Sequence, residues 1–131
     1  MKLAIAATLA GTAVWAAATA VLAATPVLIT TRGEQAPIDA RVGAPVAVAL
    51  EYAGGTGYAW LLPDPLPPGV RLISNEAASA KPGLPGGPVR QTITFAVDTS
   101  GLSRLALAFR RPWLAASDAD PKVILKVSVA P

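Results

Sequence analysis

Four stretches of the chain alternate between apolar and less apolar positions with a period of two. In Pro45–Tyr52, Val46, Val48, Leu50 and Tyr52 share one face, with Ala47, Ala49 and Glu51 on the other. Val89–Val97 sets Gln91, Ile93, Phe95 and Val97 against Arg90, Thr92, Thr94 and Ala96. Arg104–Phe109 sets Leu105, Leu107 and Phe109 against Arg104, Ala106 and Ala108, and Lys122–Val129 sets Val123, Leu125, Val127 and Val129 against Lys122, Ile124, Lys126 and Ser128. Shorter strand-like runs lie at Val27–Thr31, Tyr58–Leu62 and Val70–Ser74. Successive side chains of a strand point to opposite faces, so this pattern predicts antiparallel sheets with one face buried and one wetted. No stretch after the N-terminal segment carries a helical stripe. About seven to eight short strands in one domain, separated by turn signals, predict an all-β, immunoglobulin-like antiparallel β-sandwich.

Composition agrees with many short elements. The 131 residues include 13 prolines and 11 glycines, which punctuate chains at turns. There is no cysteine and no histidine. Disulfides, thiol nucleophiles, Ser-His triads and His- or Cys-ligated zinc are therefore excluded, and no cofactor or metal is expected. Asp64, Asp98, Asp118 and Asp120 are scattered over separate turns, with no spacing that suggests acid–base catalysis, so the chain is not expected to be an enzyme. A net charge of +3 is too small and too dispersed for a nucleic-acid footprint.

The first 24 residues read as a separate object. After Lys2 no charge occurs until Arg32, and between them runs an Ala-rich apolar segment ending in small residues. This is the layout of a secretory signal peptide, with cleavage expected after Ala23 or Ala24. Residues 25–131 then form the working domain, expected to be secreted or periplasmic, free of the membrane after cleavage, and monomeric.

Three connections stand out, and function on such scaffolds concentrates in loops. "YAGGTGYAW" (52–60) joins two strands through three glycines; "KPGLPGGPV" (81–89) is a Pro/Gly loop; "FRRPWLAAS" (109–117) leads to the last strand. The first and third fall at one end of a sandwich; the position of the second is not fixed by the sequence. Trp60 has the place of the tryptophan that fills the core of such sandwiches. Tyr58, two residues earlier, suits packing and loop anchoring equally. Trp113 is in strand register with Phe109, but Pro112 breaks the ladder between them, so Trp113 is expected in a loop and not in the core.

In order and spacing, "GGTGYAW", the Gly-Gly loop and "FRRPW" resemble the chagasin family of cysteine-peptidase inhibitors. That family carries an Asn-Pro-Thr-Thr-Gly-Tyr loop, a Gly-x-Gly-Gly loop and an Arg-Pro-Trp loop. The likeness extends from about Thr31 to Val129 and includes "VGAPVAVALEY", "FAVDTSGLSRLALAFRRPW" and "KVILKVSV". It implies an immunoglobulin-like inhibitor whose three loops enter the cleft of a papain-like cysteine peptidase as a wedge. By this resemblance Thr56, Gly57 and Tyr58 would lie over the target's catalytic cysteine. Gly86 and Gly87 match the paired glycines of the second loop, with Gly83 aligned to its first. Arg111, Pro112 and Trp113 match the third loop and would flank the cleft opposite the Gly-Gly loop. The chain also departs from the family: Ala53, Gly54 and Gly55 replace Asn-Pro-Thr, Leu114 replaces an acidic residue, and the second loop carries extra residues. The first loop is therefore expected to lack a side-chain brace. A second reading keeps the scaffold as a secreted immunoglobulin-like binding module that no longer inhibits a peptidase.

Overall fold

The computed structural model describes residues 25–131, and the expected signal peptide lies outside the described residues. Nine strands and no helix are found in them: β1 Val27–Ile29, β2 Gly33–Glu34, β3 Ile38–Arg41, β4 Val46–Ala53, β5 Ala59–Leu61, β6 Val70–Ser79, β7 Pro88–Val97, β8 Gly101–Arg110 and β9 Lys122–Ala130. One sheet has the order β1-β4-β7-β6; the other runs β2-β9-β8-β5, with β3 also on β9. The four long alternating stretches became β4, β7, β8 and β9, and their apolar faces meet between the sheets. Val48, Leu50, Ile93 and Phe95 from the first sheet pack with Leu105, Leu107, Val123 and Leu125 from the second. Removing each such side chain from water contributes roughly 1.5–3 kcal/mol, which accounts for a sandwich without a disulfide.

All pairings among the long strands are antiparallel, but the N-terminal edges are parallel. Val27–Ile29 runs beside Val48–Leu50 of β4, whereas Gly33–Glu34 and Ile38–Arg41 run beside β9. The chain thus crosses from one sheet to the other at residues 30–32 and borders both. Strands β2 and β3 gave no signal in the sequence because two and four residues are too few for an alternation to be read. Strand β6 extends to Ser79, five residues past the run seen in the sequence, with a register shift between Leu72 and Ser74. It is an edge strand with mostly exposed side chains, so no apolar face marks its second half. On β4, Ala47 and Ala49 are buried although they belong to the face opposite the core. Their partners Thr94 and Thr92 are larger, and the small alanines sit low between such neighbours.

Among the described residues one polar side chain lies in the core. Gln91 is only 4% exposed, and its amide treats the edge of β5 as a neighbouring strand would. Its Nε2 donates to the Trp60 carbonyl at 2.7 Å and to Asn75 Oδ1 at 2.9 Å, while its Oε1 accepts from the Trp60 N–H at 3.0 Å. The two bonds to Trp60 tie β7 in one sheet to β5 in the other, and the third holds β7 to its neighbour β6. Gln91→Leu is expected to destabilise the domain by about 2–4 kcal/mol, because it leaves a buried N–H and C=O without partners at about 1–3 kcal/mol each. Urea denaturation measures this, and a loss below about 1 kcal/mol would show that solvent replaces the amide.

Candidate functional site

The two ladders that frame β7 and β5 deliver the three singled-out loops to one end of the sandwich. The β4–β7 register ends with Ala53 opposite Pro88, so the next residues, Gly54 and Gly87, meet directly. Gly54 N–H donates to the Gly87 carbonyl at 3.1 Å. A Cβ on Gly54 would stand 2.6 Å from that oxygen, so only glycine admits the approach. The β5–β8 register ends with Ala59 opposite Arg110, which brings Tyr58 to Arg111. The Arg111 guanidinium carbon lies 4.7 Å from the centre of the Tyr58 ring, and Arg111 Nε donates to the Thr56 carbonyl at 3.0 Å. The first loop is thus tied to the second by backbone and to the third by arginine.

Each loop also has internal order. In the first, Thr56 Oγ1 donates to the Ala53 carbonyl at 3.4 Å and accepts from Tyr58 N–H at 3.3 Å. In the second, Gly87 N–H donates to the Leu84 carbonyl at 3.0 Å and Leu84 N–H to the Lys81 carbonyl at 3.3 Å. In the third, Leu114 N–H closes a turn on the Arg111 carbonyl at 3.1 Å, and Arg110 Nη1 donates to the Leu114 carbonyl at 2.6 Å. The first loop, expected from the sequence to lack a side-chain brace, has one from within in Thr56 Oγ1, and Gly54–Gly87 and Arg111–Thr56 tie the loop to its neighbours.

Trp113 is 70% exposed at the tip of this cluster, while Trp60 is 6% exposed in the core. The two tryptophans therefore separate as the Pro112 argument requires, and β8 ends at Arg110. The Trp113 indole rests on the first loop: a Cβ added to Gly57 would be 2.6 Å from Trp113 Cη2. Gly57 also has φ +82°, a conformation that side chains disfavour. Leu84 of the second loop and Leu114 of the third are exposed as well, so each flank of the cluster presents an apolar side chain to solvent. Tyr58 takes both of its possible roles. It stacks on Phe109 with ring centres 5.2 Å apart and also carries Arg111.

Of the residues singled out from the sequence, Thr56, Gly57, Tyr58, Arg111 and Trp113 are joined by the contacts above, with Pro112 between the last two. Gly87 joins them through Gly54; Gly86 is the adjacent residue of the same turn, at φ +69°. Gly54 and Gln91 are contributors that sequence reasoning passed over. Gly54 looked like one of several turn glycines, and Gln91 like a lone polar residue on an apolar face. The register of β4 with β7 is the signal that would have paired Gly54 with Gly87. Nothing in the cluster is suited to bond-breaking chemistry. Among the described residues no group of three acidic side chains is placed to hold a metal ion.

Residues 39–127 match the family described as Chagasin family peptidase inhibitor I42. Among solved structures, the chain is similar to the cysteine protease inhibitor EhICP2 from Entamoeba histolytica, at 18% identity and a TM-score of 0.60, over 79% of this chain and 93% of that one. Amebosin, known from a solution structure, is 24% identical with a TM-score of 0.56, over 82% of this chain and all of its own. PbICP-C, solved in complex with falcipain-2, is 17% identical with a TM-score of 0.51, over 80% and 98% of the two chains. At these identities the three structures speak for the fold. No curated protein sequence matches the chain.

Proposed function

The chain belongs to the chagasin family of peptidase inhibitors and is not an enzyme; from that premise we propose that it is a reversible protein inhibitor of papain-like cysteine peptidases, with its three loops forming one wedge that occludes the active-site cleft. The observation that carries this reading is the joining of the loops: Gly54 to Gly87, and Arg111 and Trp113 to the Thr56–Tyr58 segment. A wedge must hold its shape as it enters a cleft, since ordering loops on binding costs affinity. Backbone contacts through glycine, the fixed φ of Pro112 and the arginine tie supply that shape in advance. The middle segment, Thr56–Gly57–Tyr58, carries no thiol, carboxylate or imidazole, so it would cover a catalytic thiol without an activated group of its own. Arg and Trp are the side chains most enriched where binding energy concentrates, and both stand in the third loop. The same reading places the working domain outside the cytoplasm after removal of the leader, where it meets its peptidase as a monomer.

Titration of papain with the purified protein tests the proposal. Stoichiometric loss of activity, regained on dilution or on competition by substrate, is expected. Gly57→Ala should weaken inhibition by about five- to thirty-fold. The added methyl meets a left-handed backbone worth roughly 1–2 kcal/mol and pushes on the Trp113 indole. No inhibition of papain or of any peptidase of its class by the folded wild type would favour the binding-module reading instead.

A further inference from the structure

Beside the wedge, the sandwich contains a cavity of about 440 Å³ at the point where the chain crosses between the sheets. Four aromatic side chains, Tyr52, Tyr58, Trp60 and Phe109, form its body. They cluster around Phe109, with ring centres 5.7 Å (Tyr52), 5.2 Å (Tyr58) and 4.9 Å (Trp60) from it. The exposed lining of the cavity is largely polar: Thr30, Thr31 and Arg32 from the crossover, with Glu51 and Thr56. The core does not fill this space because β1 ends at Ile29 on one sheet and β2 begins at Gly33 on the other, leaving no strand between them.

We propose that this cavity is a binding site for a small organic monocarboxylate, an aromatic ring or short alkyl chain bearing one anionic head, with the apolar part among the four rings and the carboxylate on Arg32. The volume is within the range of small-molecule sites, and an apolar body with a few convergent polar groups is their usual lining. Charge decides the head group. Two charged side chains border the cavity, Arg32 and Glu51. Glu51 is engaged by Arg90, whose Nε lies 3.1 Å from its carboxylate. Arg32 has no carboxylate partner among the described residues, and its guanidinium carbon lies over the Phe109 ring, 6.0 Å from its centre. The free cation therefore borders the apolar space at its mouth, where a planar carboxylate on an apolar tail would meet the guanidinium fork. Burial also raises the Tyr52 phenol above its ordinary pKa.

The site is tested on the purified protein without any peptidase, so its outcome is independent of inhibition. The probes are 3-phenylpropionate and its neutral amide, 3-phenylpropionamide, followed by amide chemical shifts and by tryptophan fluorescence. Saturable shifts at residues 29–32, 52–53, 58–60 and 109 are expected with the acid, with dissociation constants of order a millimolar. Arg32→Gln should weaken the acid about threefold or more and leave the amide unchanged, as expected for one exposed ion pair. Equal binding of acid and amide to the wild type would overturn the anionic assignment. Shifts confined to other arginines, or no saturation up to roughly 20 mM, would overturn the site. Identical spectra of the variant and the wild type away from residue 32 guard against a folding defect.

Discussion

Replacing Trp113 with alanine is expected to weaken inhibition of a papain-like peptidase about thirty-fold or more, while changing the free energy of unfolding by no more than about 0.5 kcal/mol. The two halves of this expectation have different origins. The indole is 70% exposed and contributes little to the core. Its contact is with the backbone of Gly57, inside the loop cluster. Removal deletes a large aromatic surface from the part of the wedge that would meet a partner, a loss of typically about 2 kcal/mol or more at such positions. The paired measurements are a titration of the peptidase and a urea denaturation curve. Unchanged inhibition would remove the third loop from the interface. A variant that no longer folds would mean that Trp113 supports the scaffold and that its exposure misleads.

Trp60→Ala should do the opposite, lowering stability by about 3–5 kcal/mol. Trp60 is 6% exposed and its ring centre is 4.9 Å from that of Phe109, so truncation opens a void that the surrounding strands cannot close. Its backbone remains held by Gln91, and the void is therefore more apt to persist than to collapse. For a domain of this size the midpoint of thermal unfolding should fall by roughly 15–30 °C. Calorimetry or circular dichroism reads the shift. A drop of only a few degrees would mean that the strands relax into the space, and that the core is more adaptable than the packing around Phe109 implies.

Much of the scaffold was legible because a strand with one buried face must alternate, and β4, β7, β8 and β9 do so over most of their length. What could not be read from alternation was whatever lacks a buried face. Gly33–Glu34 and Ile38–Arg41 are held by main-chain pairing to β9, and the far half of β6 by pairing to β7; neither leaves a mark in side-chain polarity. The parallel direction of the N-terminal edges escaped for the same reason, since direction is set by how the chain enters a sheet. The loops divided along similar lines. Pro112 after Arg110 was enough to place Trp113 outside the ladder. The meeting of Gly54 with Gly87, by contrast, depends on strand register between segments some 30 residues apart in sequence, which no local pattern encodes. Gln91 was visible as a polar residue in an apolar row, but its partner is the main chain of Trp60 in the opposite sheet, and only a three-dimensional arrangement supplies that.

The place of β9 bears on how the chain acquires its structure. Eight strands precede it, yet β8 pairs along one of its edges and β2 and β3 along the other, from Gly33 opposite Val123 to Arg41 opposite Ala130. During synthesis the segments at 33–41 must wait for some 80 further residues before they have anything to pair with. Until then the faces of Val48, Ile93 and Phe95 are opposed by β5 and β8 alone, without Val123, Leu125 and Val127 of β9. Pairings of such long sequence separation close slowly. A stop before residue 122 therefore removes the central seam of a sheet, not a dispensable edge.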